Sequence, residues 1–346
     1  MSWNKWTIMT LFALITAPLA AQYNENCMVS CEECDSYECC DECLNWTVYG
    51  DWLYWRARRC QLDYALPFDG SNAIGRVSEV CPKYDNGFRI GVETKLCDAY
   101  FGIEYTRYKT DATSTLSNPN GGIAGTQLID AYTQLSQGSI QLARGDWDLC
   151  LDQVDLRMGY QIASECDYEA KVFGGFKFAY IDQDFNSFYS ANINPQSEGN
   201  NLEYIKQQVK MDGYGLELGM CGSYNLCRCL NFIGLFSYDI LAADFDRHYI
   251  YETMNVDEGA VLRANLRDSC WKLVSVINLA VGLRYDYQNL FCRDVDLSLS
   301  LGYEFHHWIN YLGFMEHQNE SGEVTVDRYS DNLGLDGLFL RASLSF

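Results

Sequence analysis

Residues 333–346 read LGLDGLFLRASLSF and end the chain. Apolar residues occupy alternate positions at Leu338, Leu340, Ala342, Leu344 and Phe346. The intervening positions are Phe339, Arg341, Ser343 and Ser345. This period of two, without proline, predicts a β-strand with one apolar face and one mostly polar face. Such a strand either ends a soluble sandwich or closes a barrel whose outer surface contacts lipid.

Length and composition narrow the choice of fold. The 346 residues suffice for one large β domain or two ordinary ones. Hydrophobic residues make up 48% of the chain, yet after the amino terminus no apolar run approaches the roughly 20 residues of a membrane helix. The 25 tyrosines and 8 tryptophans suit the aromatic girdles of a membrane barrel. A net charge of −22 argues against a nucleic-acid partner.

The first 21 residues have the organisation of a secretory signal peptide. Lys5 supplies the positive start, residues 8–17 the apolar core, and Ala20 and Ala21 a small-residue end. Export places the 16 cysteines in an oxidising compartment.

Residues 22–45 form a separate acidic segment that is rich in cysteine, QYNENCMVSCEECDSYECCDECLN. Its six cysteines are Cys27, Cys31, Cys34, Cys39, Cys40 and Cys43. Two CxxC spacings would suit zinc, but export favours a disulfide-bonded tail on the periplasmic side. We therefore expect no metal and no cofactor.

The remainder, residues 46–346, divides into ten alternating segments. The first nine are 46–57, 85–96, 99–109, 147–162, 168–183, 210–224, 229–244, 269–287 and 292–308, and the closing strand is the tenth. Long connections at about 58–84, 111–145, 184–208, 245–268 and 309–332 alternate with short ones. This wiring predicts an all-β fold, a transmembrane antiparallel up-and-down β-barrel with long extracellular loops. Two further strands within 111–145 or 245–268 would raise the number to twelve.

The less apolar face of each strand should point into the barrel and carry its charges. Thirteen candidate pore-lining residues are Arg89, Glu93, Lys95, Glu104, Arg157, Lys171, Lys177, Glu217, Lys272, Arg284, Asp296, Glu304 and Arg341. The same face carries further acids at Asp155, Asp239, Asp286 and Asp294. Mixed charges suit either a weakly selective pore or a lumen plugged by ion pairs, because barrels of about eight strands are just wide enough to be filled by side chains.

Catalysis is not expected. The histidines are His248, His306, His307 and His317, and no motif places them with acids in a catalytic arrangement.

The positions of the barrel cysteines lead to a more specific prediction. Cys97, Cys166, Cys227, Cys229 and Cys292 lie in or beside the short turns, whereas Cys60 and Cys81 share the first long loop and are candidates to pair. We expect disulfides at the rim that carries the short turns.

Several sequence segments resemble those of one family of membrane proteins. They are GDWLYWRA (50–57), NGFRIGVETKLCDAYFGIEYTRY (86–108), WDLCLDQVDLRMGY (147–160), GGFKFAYIDQDF (174–185), GYGLELG (213–219), LAVGLRYDY (279–287), GYEFHHW (302–308) and DNLGLDGLFLRASLSF (331–346). With them the chain resembles the Legionella-type major outer-membrane, pore-forming protein family, which has relatives in environmental chlamydiae. The resemblance implies a pore-forming barrel in the bacterial outer membrane, without catalytic residues to carry over. On the chlamydial side it implies disulfide cross-linking of envelope proteins.

The sequence therefore predicts a porin-like protein that passes small hydrophilic solutes and has disulfide links at its periplasmic rim. The alternative is a structural, cross-linked envelope protein or surface adhesin whose lumen is closed. Expected partners are outer-membrane lipid, the barrel assembly machinery, and further copies of the chain or other Cys-rich envelope proteins through disulfides.

Overall fold

A computed structural model describes residues 44–69, 72–73, 75–118, 122–128, 135, 139–164, 167–196, 200–227, 229–255, 259–287, 295–320, 323–327 and 330–346. The predicted signal peptide and nearly all of the Cys-rich tail lie outside these ranges. Within them, no helix is long and apolar enough to cross a bilayer.

The described chain forms sixteen strands. They are β1 (Leu44–Arg59), β2 (Asp63–Asp69), β3 (Asn72–Ala73), β4 (Ser78–Glu79), β5 (Tyr84–Leu96), β6 (Ala99–Ser117), β7 (Gly122–Gly125), β8 (Leu142–Ser164), β9 (Tyr168–Ser190), β10 (Asn201–Cys227), β11 (Leu230–Asn255), β12 (Gly259–Tyr287), β13 (Asp296–Leu312), β14 (Glu316–Glu320), β15 (Glu323–Asp327) and β16 (Ser330–Ser345).

Ten of these strands close into an antiparallel barrel, which confirms the predicted fold. The order around the ring is β1, β16, β13, β12, β11, β10, β9, β8, β6, β5, and β5 pairs back onto β1. The carboxyl-terminal strand closes the ring, since it pairs with β1 from Thr47↔Ser345 to Arg59↔Leu333. Closure leaves no unpaired edge, which is what a β structure requires in lipid.

The two ends of the barrel differ. The turn end carries the chain terminus at Phe346 and short connections such as 97–98 between β5 and β6. The loop end carries two small sheets, one built from β2, β3, β4 and β7 and the other from the β14–β15 hairpin. Four of the five loop-end connections are longer than the turn-end ones, as predicted, and the exception is the short connection 256–258 between β11 and β12.

An apolar belt surrounds the barrel nearer its turn end. Outward side chains there remain exposed although they are large and hydrophobic, for example Leu340 at 45% and Trp52 at 50%. A water-facing surface of this kind would be unfavourable, whereas hydrocarbon is a suitable neighbour. The belt ends where acidic residues begin on the outer surface, at Asp152, Asp182, Asp212 and Asp244 of four successive strands.

Beyond the belt, towards the loop end, the inner face of the strands becomes apolar and the outer face becomes polar. In β8, Leu156 faces out and Arg157 faces in near the turn end. Further along the same strand, Trp147 and Leu149 are buried inside while Asp148 faces out. Here the outer surface meets water, so the polar side chains face outward and the apolar ones fill the interior, as in a soluble barrel.

This exchange explains why two predicted loops were wrong. Most of 245–268 is strand, because β11 continues to Asn255 and β12 begins at Gly259. Similarly, β9 and β10 reduce the predicted loop 184–208 to the connection between Ser190 and Asn201. Charged outward residues such as Asp246 and Arg267 suggested a loop, yet alternation of the buried side chains continues and is sufficient for a ladder. These strands are longer than the 9–11 residues that cross a membrane.

The other predicted loops are also shorter or more structured than expected. β6 reaches Ser117 and β8 begins at Leu142, so strands take both ends of 111–145. The regions 58–84 and 309–332 contain the strands of the two small sheets. The turn before β13 lies in residues 288–294, outside the described residues, together with Asp294.

Candidate functional site

Most predicted pore-lining charges line one cavity of about 510 Å³ that lies in the half of the barrel interior nearer the turn end. Ten of the thirteen border it: Arg89, Glu93, Glu104, Arg157, Lys171, Lys177, Arg284, Asp296, Glu304 and Arg341. Lys95 borders a neighbouring cavity at the rim, and Glu217 is buried behind Arg157. The exception is Lys272, which lies towards the loop end and hydrogen-bonds the Ser330 hydroxyl at 2.5 Å.

The cavity, named here the vestibule, owes its space to small polar side chains near the turn end. Strands β1, β13 and β16 contribute Thr47, Ser298, Ser300, Ser343 and Ser345 to its wall. Their short hydroxyl side chains leave room where larger residues would fill a ten-stranded ring. The vestibule therefore combines a polar wall with charged groups deeper inside.

The deep end of the vestibule is an ion-pair layer that spans the bore. On one side, Arg89 contacts Asp51 at 2.9 Å, Glu304 at 3.1 Å and Glu104 at 3.5 Å. Arg341 contacts the same Asp51 at 2.7 Å. The indole nitrogen of the buried Trp55 donates to Glu304 at 2.9 Å. Each carboxylate here has at least one cationic partner, as buried charges require.

The other side of the layer is organised by Arg157 and Lys177. Arg157 donates to Glu217 through Nε at 2.9 Å and Nη2 at 3.0 Å, and lies 3.3 Å from Glu104. Lys177 contacts Asp239 at 2.5 Å and Asp155 at 3.6 Å. Because Glu104 contacts both Arg89 and Arg157, the two sides form one continuous network.

The ion-pair layer is slightly acidic. Four cations, Arg89, Arg157, Lys177 and Arg341, face six carboxylates, Asp51, Glu104, Asp155, Glu217, Asp239 and Glu304. His306 is tied to the layer through Asn278, whose amide donates to Asp239 at 2.8 Å. The formal charge of these ten groups, −2, favours cations over anions at this depth.

Beyond the ion-pair layer, towards the loop end, the interior is mainly apolar, with a few buried polar groups such as Arg247 and Gln183. Buried residues of this apolar layer include Leu53, Trp55, Trp147, Leu149, Ile181, Phe185, Met211, Leu241, Phe245, Val274, Val276, Trp308 and Leu335. Phe314 and Met315, from the connection between β13 and β14, pack with them. The bore is thus open and charged in one half and filled mainly by apolar side chains in the other.

Sequence reasoning missed two parts of this arrangement. Asp51 was not among the candidates, although its odd position in β1, opposite to the outward Trp52, would have identified it as inward. The apolar layer was missed because the more apolar face of every strand was taken to meet lipid along its whole length. That assumption fails beyond the membrane.

The described cysteines are free thiols, namely Cys60, Cys81, Cys97, Cys150, Cys221, Cys227, Cys229 and Cys270. Cys60 and Cys81 are exposed and not joined to each other, contrary to the suggested pairing. Cys97, Cys227 and Cys229 lie at the turn end, and Cys221 lines the vestibule. The remaining candidates, Cys27, Cys31, Cys34, Cys39, Cys40, Cys43, Cys166 and Cys292, lie outside the described residues.

The chain is similar to several outer-membrane proteins of known structure. Among solved structures it is similar to the outer membrane protease OmpT from Escherichia coli, with 10% identity, a TM-score of 0.45, and coverage of 87% of this chain and 96% of that one. It is also similar to a major outer membrane protein from Thermus thermophilus, with 12% identity, a TM-score of 0.29, and coverage of 88% and 99%. A FadL homologue from Pseudomonas aeruginosa matches at 5% identity and a TM-score of 0.24, covering 88% and 90%.

A comparison with curated proteins found no match. The family model described as the Legionella pneumophila major outer membrane protein precursor matches residues 39–346. That range includes every strand of the ring. The chain is therefore a β-barrel protein of the bacterial outer membrane, and it belongs to the Legionella major outer membrane protein family.

Proposed function

We propose that this protein forms a pore for small hydrophilic solutes. The observation that carries the proposal is the vestibule, a polar cavity of about 510 Å³ inside a closed barrel. In outer-membrane barrels the short turns face the periplasm, so the vestibule would open on the periplasmic side. Charged groups at its deep end would discriminate among ions, with a weak preference for cations.

Single-channel recording of the refolded protein in a planar bilayer tests the pore. We expect discrete conductance steps, because a barrel with a charged, wet vestibule needs to open over only half of its length. Measurement with and without reductant shows whether disulfides alter conduction. Silence from protein that is demonstrably folded and inserted would contradict the pore.

The alternative function is a structural envelope protein with a permanently closed lumen. The apolar layer favours it, since side chains such as Leu53, Trp147 and Ile181 are fully buried inside the barrel. The bilayer experiment separates the two functions, because a permanently filled lumen conducts under no condition. Catalysis forms no part of our proposal: His306 belongs to the ion-pair layer, and His248 bonds Asn265 on the outer surface.

We also propose that the thiols at the turn end form disulfides with the Cys-rich tail, with another copy of the chain or with other Cys-rich envelope proteins. Export and the position of Cys97, Cys227 and Cys229 on the expected periplasmic rim support this. Lipid around the apolar belt and assembly machinery reading the closing strand are the other proposed partners. The net charge of −22 disfavours nucleic acid.

Maleimide labelling of native envelopes, read by peptide mass spectrometry, tests the cysteines. Without reduction we expect Cys60 and Cys81 to be labelled, and Cys97, Cys227 and Cys229 to be protected. Partial desolvation of this otherwise exposed thiol, together with the Glu79 carboxylate, raises the pKa of Cys81, so its labelling should accelerate as pH rises.

Samples reduced before labelling are the control, in which all five cysteines should react. Rapid labelling of the turn-end cysteines without reduction would contradict rim disulfides. Protection of Cys60 and Cys81 until reduction would show that these two residues are bonded.

A further inference from the structure

A short segment of the chain places large side chains in the barrel interior. This crossing segment, residues 311–315, comprises the last two residues of β13 and the three residues that connect β13 to β14. Its large side chains are buried: Tyr311 is 0% exposed, Leu312 2%, Phe314 3% and Met315 3%. Burial of this degree at the loop end of a barrel requires walls on several sides.

A local break in the ladder directs the segment inward. The register between β13 and β16 shifts between Trp308 and Tyr311. Within the shift, Asn310 has a φ of 65°, a left-handed conformation that asparagine tolerates better than most residues. Its side-chain amide donates to the Leu273 carbonyl of β12 at 2.8 Å. An irregularity of this kind re-aims the chain that follows it.

The crossing segment touches strands on different sides of the ring. Phe314 packs on Phe185 of β9 with ring centroids 5.5 Å apart. Tyr311 packs edge-to-face on Phe245 of β11 at 5.2 Å. The guanidinium of Arg59, from β1, lies 4.1 Å from the centroid of the Phe314 ring. Contacts with β1 and β9, neither of which neighbours β13 in the ring, place the Phe314 side chain within the bore.

Two buried arginines hold the crossing segment. Arg59 has no exposed side-chain surface, pairs with Asp331 at 3.3 Å, and donates across the bore to Gln183. Arg247, 1% exposed, pairs with Asp268 and donates to the Gly313 carbonyl at 3.5 Å. A buried guanidinium is costly without an anionic or polar partner, so these contacts favour one position of the segment.

We propose that residues 311–315, held by Arg59 and Arg247, form the constriction of the pore and set the size of what passes. This inference rests on the proposed pore function. The barrel ladders do not depend on Phe314 or Met315, because both follow the end of β13. Their side chains can therefore be removed to widen the bore while the wall stays intact.

The main test is the double variant Phe314→Ala, Met315→Ala in single-channel recordings. We expect conductance to rise by about two-fold or more, because conduction is limited at the narrowest point. The matched control is Phe88→Ala, Leu340→Ala, which removes similar volume from the lipid-facing surface. It should conduct like the unaltered protein. Loss of the folded form's mobility shift in electrophoresis would identify a misfolded variant.

A second measurement does not depend on truncation. In Phe314→Cys, a water-soluble methanethiosulfonate reagent should reduce the current stepwise, with the unaltered protein treated in parallel to correct for native cysteines. No change of current in Phe314→Cys, or a double variant that conducts like the unaltered protein, would overturn the constriction while leaving the pore intact. Silence from every folded sample would overturn the pore as well. A silent unaltered protein with a conducting double variant would show that residues 311–315 close the bore, and it would contradict a pore that is open in the unaltered protein.

Discussion

Replacing Lys177 by methionine is expected to lower the free energy of unfolding by about 3–5 kcal/mol. Lys177 is 1% exposed and lies 2.5 Å from Asp239, 3.6 Å from Asp155 and 3.8 Å from Glu217. Methionine has similar volume but no charge, so three buried carboxylates would lose their common cation. The lost pairing, rather than a cavity, would dominate the effect.

Lys171→Met is the matched control for this prediction. Lys171 points inward from the same strand, but its side chain is 22% exposed, and Glu169, at 3.3 Å, is its one ion-pair partner among the described residues. Its replacement should cost less than about 1 kcal/mol. Urea unfolding of both variants in lipid vesicles provides the comparison. Adding Asp239→Asn to Lys177→Met should recover part of the loss, and equal stabilities of the two single variants would refute the role of the network.

Gly215→Ala is expected to destabilise the barrel by roughly 3 kcal/mol or to prevent folding, because its methyl group has no space. An ideal Cβ at Gly215 would lie 1.9 Å from the Ile240 carbonyl oxygen and 2.7 Å from the Leu241 Cα. Both atoms belong to the backbone of β11, which is hydrogen-bonded to β10 along its length. Relief of the clash requires the two strands to separate.

Gly234→Ala provides the control within the same pair of strands. Gly234 lies in β11, and a Cβ there would meet nothing within 4 Å. Its replacement should be neutral or stabilise by up to about 1 kcal/mol, since alanine restricts the unfolded chain. The temperature at which each folded barrel loses its electrophoretic mobility shift measures the difference. A Gly215→Ala variant as stable as Gly234→Ala would contradict the close approach of β10 and β11.

Strand positions near the turn end could be predicted closely, whereas those near the loop end could not. Leu338 and Leu340 alternate with Phe339 and Arg341, and this pattern indicates that one face of the strand contacts lipid. At the loop end the pattern is inverted, because Asp246 faces out and Phe245 faces in. The charged outward residues there made the sequence look like a loop, although the inward residues continue the alternation of a strand. The surroundings of a single strand change from lipid to water along its length. The local sequence does not show at which residue the membrane ends.

The candidate site was predictable as a set of inward charges but not as a set of partners. Lys177 meets acids from β8, β10 and β11, and Arg89 of β5 meets Glu304 of β13. Each pairing depends on the registers of several ladders and on closure of the ring. Alternation assigns a residue to a face and leaves its neighbours across the bore undetermined.

The sequence by itself determined the all-β fold, the antiparallel wiring and the inward direction of the charges, because period-two patterning and turn chemistry act over a few residues. Only the tertiary structure decided that six carboxylates share four cations in one layer, that the loop-end interior is mainly apolar, and that Phe314 and Met315 are buried within the bore. These features depend on ring diameter, strand register and a break after Trp308, which bring together residues distant in the chain.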